Sequence, residues 1–146
     1  MELMAQAKTQ KELAFLHDLY VAPDWGERFA ELVDAQVQLP KKGRALYVEA
    51  GTGSHALALQ ERAGEDLKLL CVDESDECLE LARAKATAMN QKAQFQREAP
   101  SSLSQPDDQF DLVLGNASMT RLKDIRLILS ELVRVAAPGG TVAFWL

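Results

Sequence analysis

From about residue 41 onward, short apolar runs alternate with amphipathic stretches, whereas the first forty residues carry only helical spacing. Leu13, Leu16, His17 and Tyr20 fall at i, i+3, i+4 and i+7, which predicts a first helix. Beyond Pro23 the set Trp25, Phe29, Leu32 and Val33 repeats the pattern, with Asp24 as the expected N-cap and an end near Leu39-Pro40. Residues 1–40 are therefore expected to form a helical cap and residues 41–146 the domain proper.

Within the domain, the runs Ala45–Ala50 and Leu67–Asp73 read as strands, each followed by a helical stretch. The first helix is expected over Ser54–Ala63. The second has Ser75 as its N-cap, Asp76 and Glu77 in its first turn, and a buried stripe of Leu79, Ala82, Ala86 and Met89. A weaker strand, Ala93–Arg97, gives way to a polar connection, Pro100–Asp108, and then to a fourth strand, Phe110–Leu114. Ile125, Ile128, Leu129, Leu132, Val133 and Ala136 make the cleanest helical face in the chain, and Pro138-Gly139-Gly140 should stop that helix before a fifth strand, Thr141–Leu146. Strands two, four and five are continuously apolar, as strands buried on both faces must be. The expectation is an α/β domain with a doubly wound, mostly parallel sheet and helices on both faces, in three α/β/α layers.

A hydrophobic fraction of 47% with 26% charged residues fits one ordinary globular domain, and the net charge of −6 argues against a general attraction to nucleic acid or anionic lipid. Cys71 and Cys78 are spaced neither like a zinc pair nor like a disulfide framework, so both are expected to be reduced and buried, and no metal site is expected. No secretory leader or membrane-length apolar run is visible, which makes a cytoplasmic location the default expectation.

The segment Val48–Leu59 (VEAGTGSHALAL) places glycines where a strand hands over to a helix. Glycine there permits conformations a Cβ would block, and the helix start offers free N–H groups, so a ligand is expected over Gly51 and Gly53. Asp73 follows at the end of the second strand, at the distance from the glycine turn where a carboxylate can accept from both ribose hydroxyls. Two ligand classes fit. Gly51–Ala56 satisfies a loose dinucleotide fingerprint, which keeps an NAD-type oxidoreductase open. Glu49, immediately before the turn, would repel a pyrophosphate and attract an ammonium and a sulfonium, which favours S-adenosylmethionine.

These segments resemble the class I S-adenosylmethionine-dependent methyltransferases from about Leu39 to the last residue. Glu49–Ser54 is similar to the family's acidic glycine loop, and Val72-Asp73-Glu74-Ser75 to its ribose-binding motif. Glu98-Ala99 matches the acidic position facing the adenine amino group. Phe110–Asn116 resembles the fourth-strand motif, and Leu132–Gly140 the junction of helix and fifth strand. The resemblance implies a Rossmann-like sheet of order 3-2-1-4-5. It implies S-adenosylmethionine as cofactor, S-adenosylhomocysteine as product, a small-molecule methyl acceptor, and binding by Glu49, Ala50, Gly51, Gly53, Asp73, Glu74, Glu98, Ala99 and Asn116.

The chain also departs from the pattern. His55 stands where a third glycine is common and could crowd the methionine end of the cofactor, and Ala117-Ser118-Met119 lacks the prolines and aromatic of relatives that methylate amide or adenine nitrogens. Tyr20 and Trp25 could close over the cofactor, although their spacing fits core packing better. Asn116 is a candidate for orienting substrate, and no residue is assigned as a catalytic base. A catalytically silent cofactor-binding or scaffold domain is a further alternative. Members of the family continue past the fifth strand, so the expectation is either a truncated chain or a homodimer through the exposed edge of that strand.

Overall fold

Strands that are apolar on both faces need cover on both faces, and the chain supplies it with helices returning over a single sheet. The computed structural model describes residues 22–116 and 124–145. Its five strands are β1 (Gly43–Val48), β2 (Leu67–Asp73), β3 (Gln94–Arg97), β4 (Phe110–Asn116) and β5 (Ala136–Trp145). They lie in the order β3-β2-β1-β4-β5 and every pairing is parallel, as expected. The chain winds outward from β1 to β3 and then returns to place β4 on the other side of β1. The switch point of the sheet therefore lies between β1 and β4, where open α/β sheets hold ligands beyond the carboxyl ends of their strands.

Among the described residues, four helices accompany the sheet: α1 (Ala22–Val37), α2 (Ser54–Ala63), α3 (Asp76–Ala88) and α4 (Ile125–Val135). Strand residues alternate between two cores. Ala45, Tyr47, Leu69, Cys71, Leu112 and Leu114 join Ala30 and Val33 of α1 and Ala56 and Leu59 of α2 on one face. Leu46, Val48, Val72 and Val113 join Ile128, Leu132 and Val135 of α4 on the other, together with Leu103 from the connection between β3 and β4. In α3, Leu79, Ala82 and Ala86 are buried.

Several expectations are corrected by packing. α1 begins at Ala22, so Asp24 lies inside its first turn rather than capping it; a proline near a helix start removes only a donor that would be unpaired anyway. The helix ends at Val37, where Gln38 takes a φ of 52° and the Asp34 carboxylate accepts the Leu39 N–H at 3.0 Å. Its buried face runs through Ala30 and Val33, leaving Leu32 63% exposed. Met89 follows the last residue of α3 and is likewise exposed. On α4 the buried positions are Ile128, Leu132 and Val135, so Leu129 and Val133 point outward. β1 stops at Val48 because Glu49 leaves the extended region at φ 55°.

Pro138-Gly139-Gly140 does not end α4, which stops at Val135, but forms an irregularity inside β5. The register moves from Phe110 opposite Ala136 to Leu112 opposite Thr141. A Cβ on Gly140 would stand 2.9–3.1 Å from the carbonyl oxygens of Ala137, Phe110 and Asp111, so the close backbone approach requires glycine. Both cysteines are free, but only Cys71 is buried; Cys78 is half-buried. Burial pushes the Cys71 thiol and the Tyr47 phenol well above their ordinary values, so both stay neutral. The expected helix over Leu13–Tyr20, Ala117-Ser118-Met119 and Leu146 lie outside the described residues, as do the side chains of Trp25, Phe29 and Asn116.

Candidate cofactor-binding site

At the carboxyl end of β1 the chain must turn sharply into α2, and three successive features make that turn. Glu49 adopts a left-handed φ of 55°, which costs a non-glycine residue about 1 kcal/mol. Gly51 and Gly53 follow at φ 59° and 83°. The Ala50 N–H donates to Val72 O at 3.1 Å, and the Gly53 N–H to Ala50 O at 3.0 Å. Strain held at such a position marks a functional site when the surrounding hydrogen bonds over-determine it.

Asp73, the last residue of β2, supplies those bonds. Its Oδ2 accepts the Gly51 N–H and its Oδ1 accepts the Ser75 N–H, both at 2.9 Å, while its backbone oxygen accepts the Glu98 N–H at 3.0 Å. One residue thus ties the ends of β1, β2 and β3 together. Ser75 caps α3 as expected, its Oγ accepting the Cys78 N–H at 3.2 Å. Glu74 sits half-buried between them.

Glu98 is held by the connection that follows it. Its Oε1 accepts the Ser104 N–H and its Oε2 accepts Gln105 Nε2, each at 2.7 Å. Ala99 forms an isolated antiparallel bridge with Ser102, whose N–H donates to Ala99 O at 3.1 Å. Asn116 ends β4 opposite Trp145, one residue beyond the pairing of Gly115 with Val48. The structure therefore brings Glu49, Ala50, Gly51, Asp73, Glu74, Glu98 and Ala99 to one end of the sheet, with the backbone of Asn116 at the same end of the neighbouring strand.

The two glycines of the turn do different work. A Cβ on Gly51 would meet nothing within 4 Å, so the space above it is open. A Cβ on Gly53 would lie 2.9 Å from the Ala82 Cβ on α3 and 3.7 Å from the Phe95 ring. The expected open floor over both glycines is found only at Gly51; Gly53 is small so that α3 can pack. His55 lies half-buried in the first turn of α2.

Sequence reasoning missed four contributors. Lys85 of α3 reaches back to the glycine turn, its Nζ donating to Ser54 Oγ at 2.6 Å and to Thr52 Oγ1 at 3.3 Å. Gln105 holds Glu98. Arg134 of α4 anchors the connection, with Nη1 on Gln105 O (2.9 Å) and Asp107 Oδ1 (2.8 Å), and Nη2 on Leu103 O (3.1 Å). Glu131 completes the network, accepting from Arg134 Nε at 2.8 Å and from the Leu103 N–H at 2.8 Å. The Arg134 guanidinium holds the Glu131 carboxyl below its ordinary value, and the two carboxylates around Arg134 raise that of the guanidinium. Apart from the i, i+3 pair of Glu131 with Arg134 and the short reach of Gln105 to Glu98, these contacts have no local pattern, because they join residues far apart in the chain.

A cavity of about 670 Å³ opens at the other end of the strands, lined by residues such as Arg44, Leu67, Lys68, Asn90 and Gln94. It contains none of Glu49, Asp73 or Glu98. The strand ends, the strained turn and the acidic side chains converge instead at the carboxyl-end crevice, where open α/β sheets hold ligands. Among the described residues no cluster of three metal-ligating side chains occurs, and no helix is long and apolar enough to cross a membrane.

The sequence profile of a methyltransferase domain matches residues 45–140, from the first strand through the glycine pair of β5. The chain belongs to this methyltransferase-domain family. It is 31% identical over 118 residues to a demethylmenaquinone methyltransferase of Bacillus licheniformis, covering 81% of this chain and 49% of that protein. To the protein of the same name in Thermus thermophilus it is 35% identical over 116 residues, covering 80% and 50%. The chain thus spans about half the length of the curated relatives it matches. A SAM-dependent methyltransferase from Aquifex aeolicus shares its fold, with a TM-score of 0.77 at 24% identity over 94% of this chain and 72% of the other. The methyltransferase family implies S-adenosylmethionine as cofactor, and the residues at the carboxyl end fit it: open space over Gly51, and a carboxylate at Asp73 with acceptor capacity beyond its two backbone bonds.

Two consequences can be measured in the methyltransferase domain. In urea denaturation, Gly53→Ala should lose more stability than Gly51→Ala, by about 1–3 kcal/mol, because both meet left-handed strain but only the former meets Ala82; equal losses would contradict the packing role. The lowered native value of Glu131 stabilises the fold fully above its ordinary value of 4.5, and that stabilisation disappears as the pH falls through the native value. Glu131→Gln should therefore be less stable than the wild type at neutral pH and flatten the loss of stability on the acid side; a parallel pH profile would count against it.

Proposed function

We propose that this domain binds S-adenosylmethionine at the carboxyl ends of β1, β2 and β4 and that the whole protein transfers its methyl group in line to a small-molecule acceptor. The observation that carries this reading is the Asp73 carboxylate bridging Gly51 N–H and Ser75 N–H beside the open space over Gly51. Each oxygen accepts one backbone donor, which fixes the carboxylate and leaves lone pairs for two ribose hydroxyls. Glu98, held by Ser104 and Gln105, offers an acceptor to the adenine amino group. Glu49, Ala50, Gly53, Glu74, Ala99 and Asn116 complete the set assigned here. Glu49 adds negative charge near the glycine turn, which favours a cationic ligand over a pyrophosphate.

When bound, S-adenosylmethionine supplies an electrophilic methyl group on a sulfonium. The chain's own contribution is positioning: a fixed adenosyl end leaves the methyl carbon at a defined place relative to the end of β4, where an acceptor about 3 Å away can react without a further entropic penalty. The demethylmenaquinone methyltransferases among the relatives support a small-molecule acceptor.

Calorimetry with S-adenosylhomocysteine and with NADH tests the ligand. Micromolar binding of the first, weakened at least about tenfold in Asp73→Ala, is the expected result; binding of NADH alone would overturn the reading. A homodimer through β5 belongs to the same proposal, since that strand ends the sheet order and a strand edge presents backbone donors and acceptors. Sedimentation velocity at tens of micromolar should show a dimer, and a monomer at every concentration would refute it.

A further inference from the structure

We infer that Gln105 is a positioning residue for Glu98, aiming the carboxylate that distinguishes a 6-amino purine from a 6-oxo purine, and that Arg134 holds Gln105 in place from α4. The inference rests on the proposed adenosyl site. Gln105 is a buried polar side chain, 9% exposed, in a connection that is otherwise largely exposed around it. Its Nε2 donates to Glu98 Oε2 at 2.7 Å, while among the described residues no donor reaches its own Oε1, which is buried. A buried amide oxygen without a donor is costly, and an apolar side chain at this position would avoid that cost. What the amide alone provides is a second hydrogen bond to Glu98, alongside that of the Ser104 N–H on Oε1 at 2.7 Å.

Two donors, one on each oxygen, hold the carboxylate in one rotamer before a ligand arrives. Arg134 makes this arrangement rigid by holding Gln105 O and Leu103 O on either side of Ser104, and Glu131 takes the Leu103 N–H at 2.8 Å. A fixed carboxylate attracts the N–H of an exocyclic amino group and repels the carbonyl oxygen of a 6-oxo purine. A carboxylate free to rotate away would discriminate less.

The experiment is calorimetry of the wild-type chain and Gln105→Met with S-adenosylhomocysteine and S-inosylhomocysteine. The expected result is that the preference for the adenosyl compound narrows by about tenfold in Gln105→Met while the unfolding midpoint stays the same or rises. A purely structural role would lower the midpoint and leave the preference unchanged. An unchanged preference, with S-adenosylhomocysteine still bound, overturns the inference and leaves the proposed function standing. Absence of binding by the wild type overturns the proposed function and this inference with it. If Gln105→Met does not fold, Arg134→Lys is read in the same assay: a narrowed preference supports the inference, because lysine cannot span both carbonyls, and an unchanged one overturns it.

Discussion

The carboxyl end of the sheet depends on one carboxylate. Asp73 accepts from Gly51 N–H and Ser75 N–H with its side chain and from Glu98 N–H with its backbone, so the turn after β1, the start of α3 and the end of β3 share a single anchor. Bonds from backbone N–H groups to a carboxylate are stronger than bonds between neutral groups, and one of them holds Gly51 in its left-handed conformation. The anchor lies beside the switch point of the sheet, so what stabilises the turn also prepares a place for a ligand.

A second layer of support comes from further away. The connection from β3 to β4 packs Leu103 into the core beneath α4 and is fastened to that helix by Arg134 and Glu131. Because the same connection grips Glu98, the helix on one face of the sheet sets the geometry of an acidic side chain at its end. Lys85 does the equivalent on the other face, linking α3 to Thr52 and Ser54. Gly53 then lets α3 approach closely enough for that lysine to reach.

The sheet and most of its elements were legible in the sequence because they rest on local signals. The continuous apolar runs of β2 and β4, the serine cap of α3 and the spacing from Gly51 to Asp73 are patterns of that kind. Elements whose inner face depends on a neighbour were less legible. Leu32, Leu129 and Val133 satisfy helical periodicity yet point outward, since which arc of a helix turns inward is settled by what it packs against. Pro138-Gly139-Gly140 carries the signal of a helix stop but serves an irregular strand, because close approach of two backbones needs glycine just as a helix end does. At the candidate site, Glu49 and Asp73 could be picked out from their places after strands, and Glu98 from the family resemblance. Gln105 and Arg134 could not, because their roles arise only when the connection folds back onto α4.

In the proposed function this carboxyl-end crevice, and not the cavity at the opposite end of the strands, receives the adenosyl ligand. Amide chemical shifts of the isotopically labelled chain titrated with S-adenosylhomocysteine test it most directly. Saturable shifts are expected at Gly51, Asp73, Ser75, Glu98 and Ser104. Shifts confined to Lys68, Asn90 and Gln94 around the opposite cavity, or no shifts at all, would contradict it.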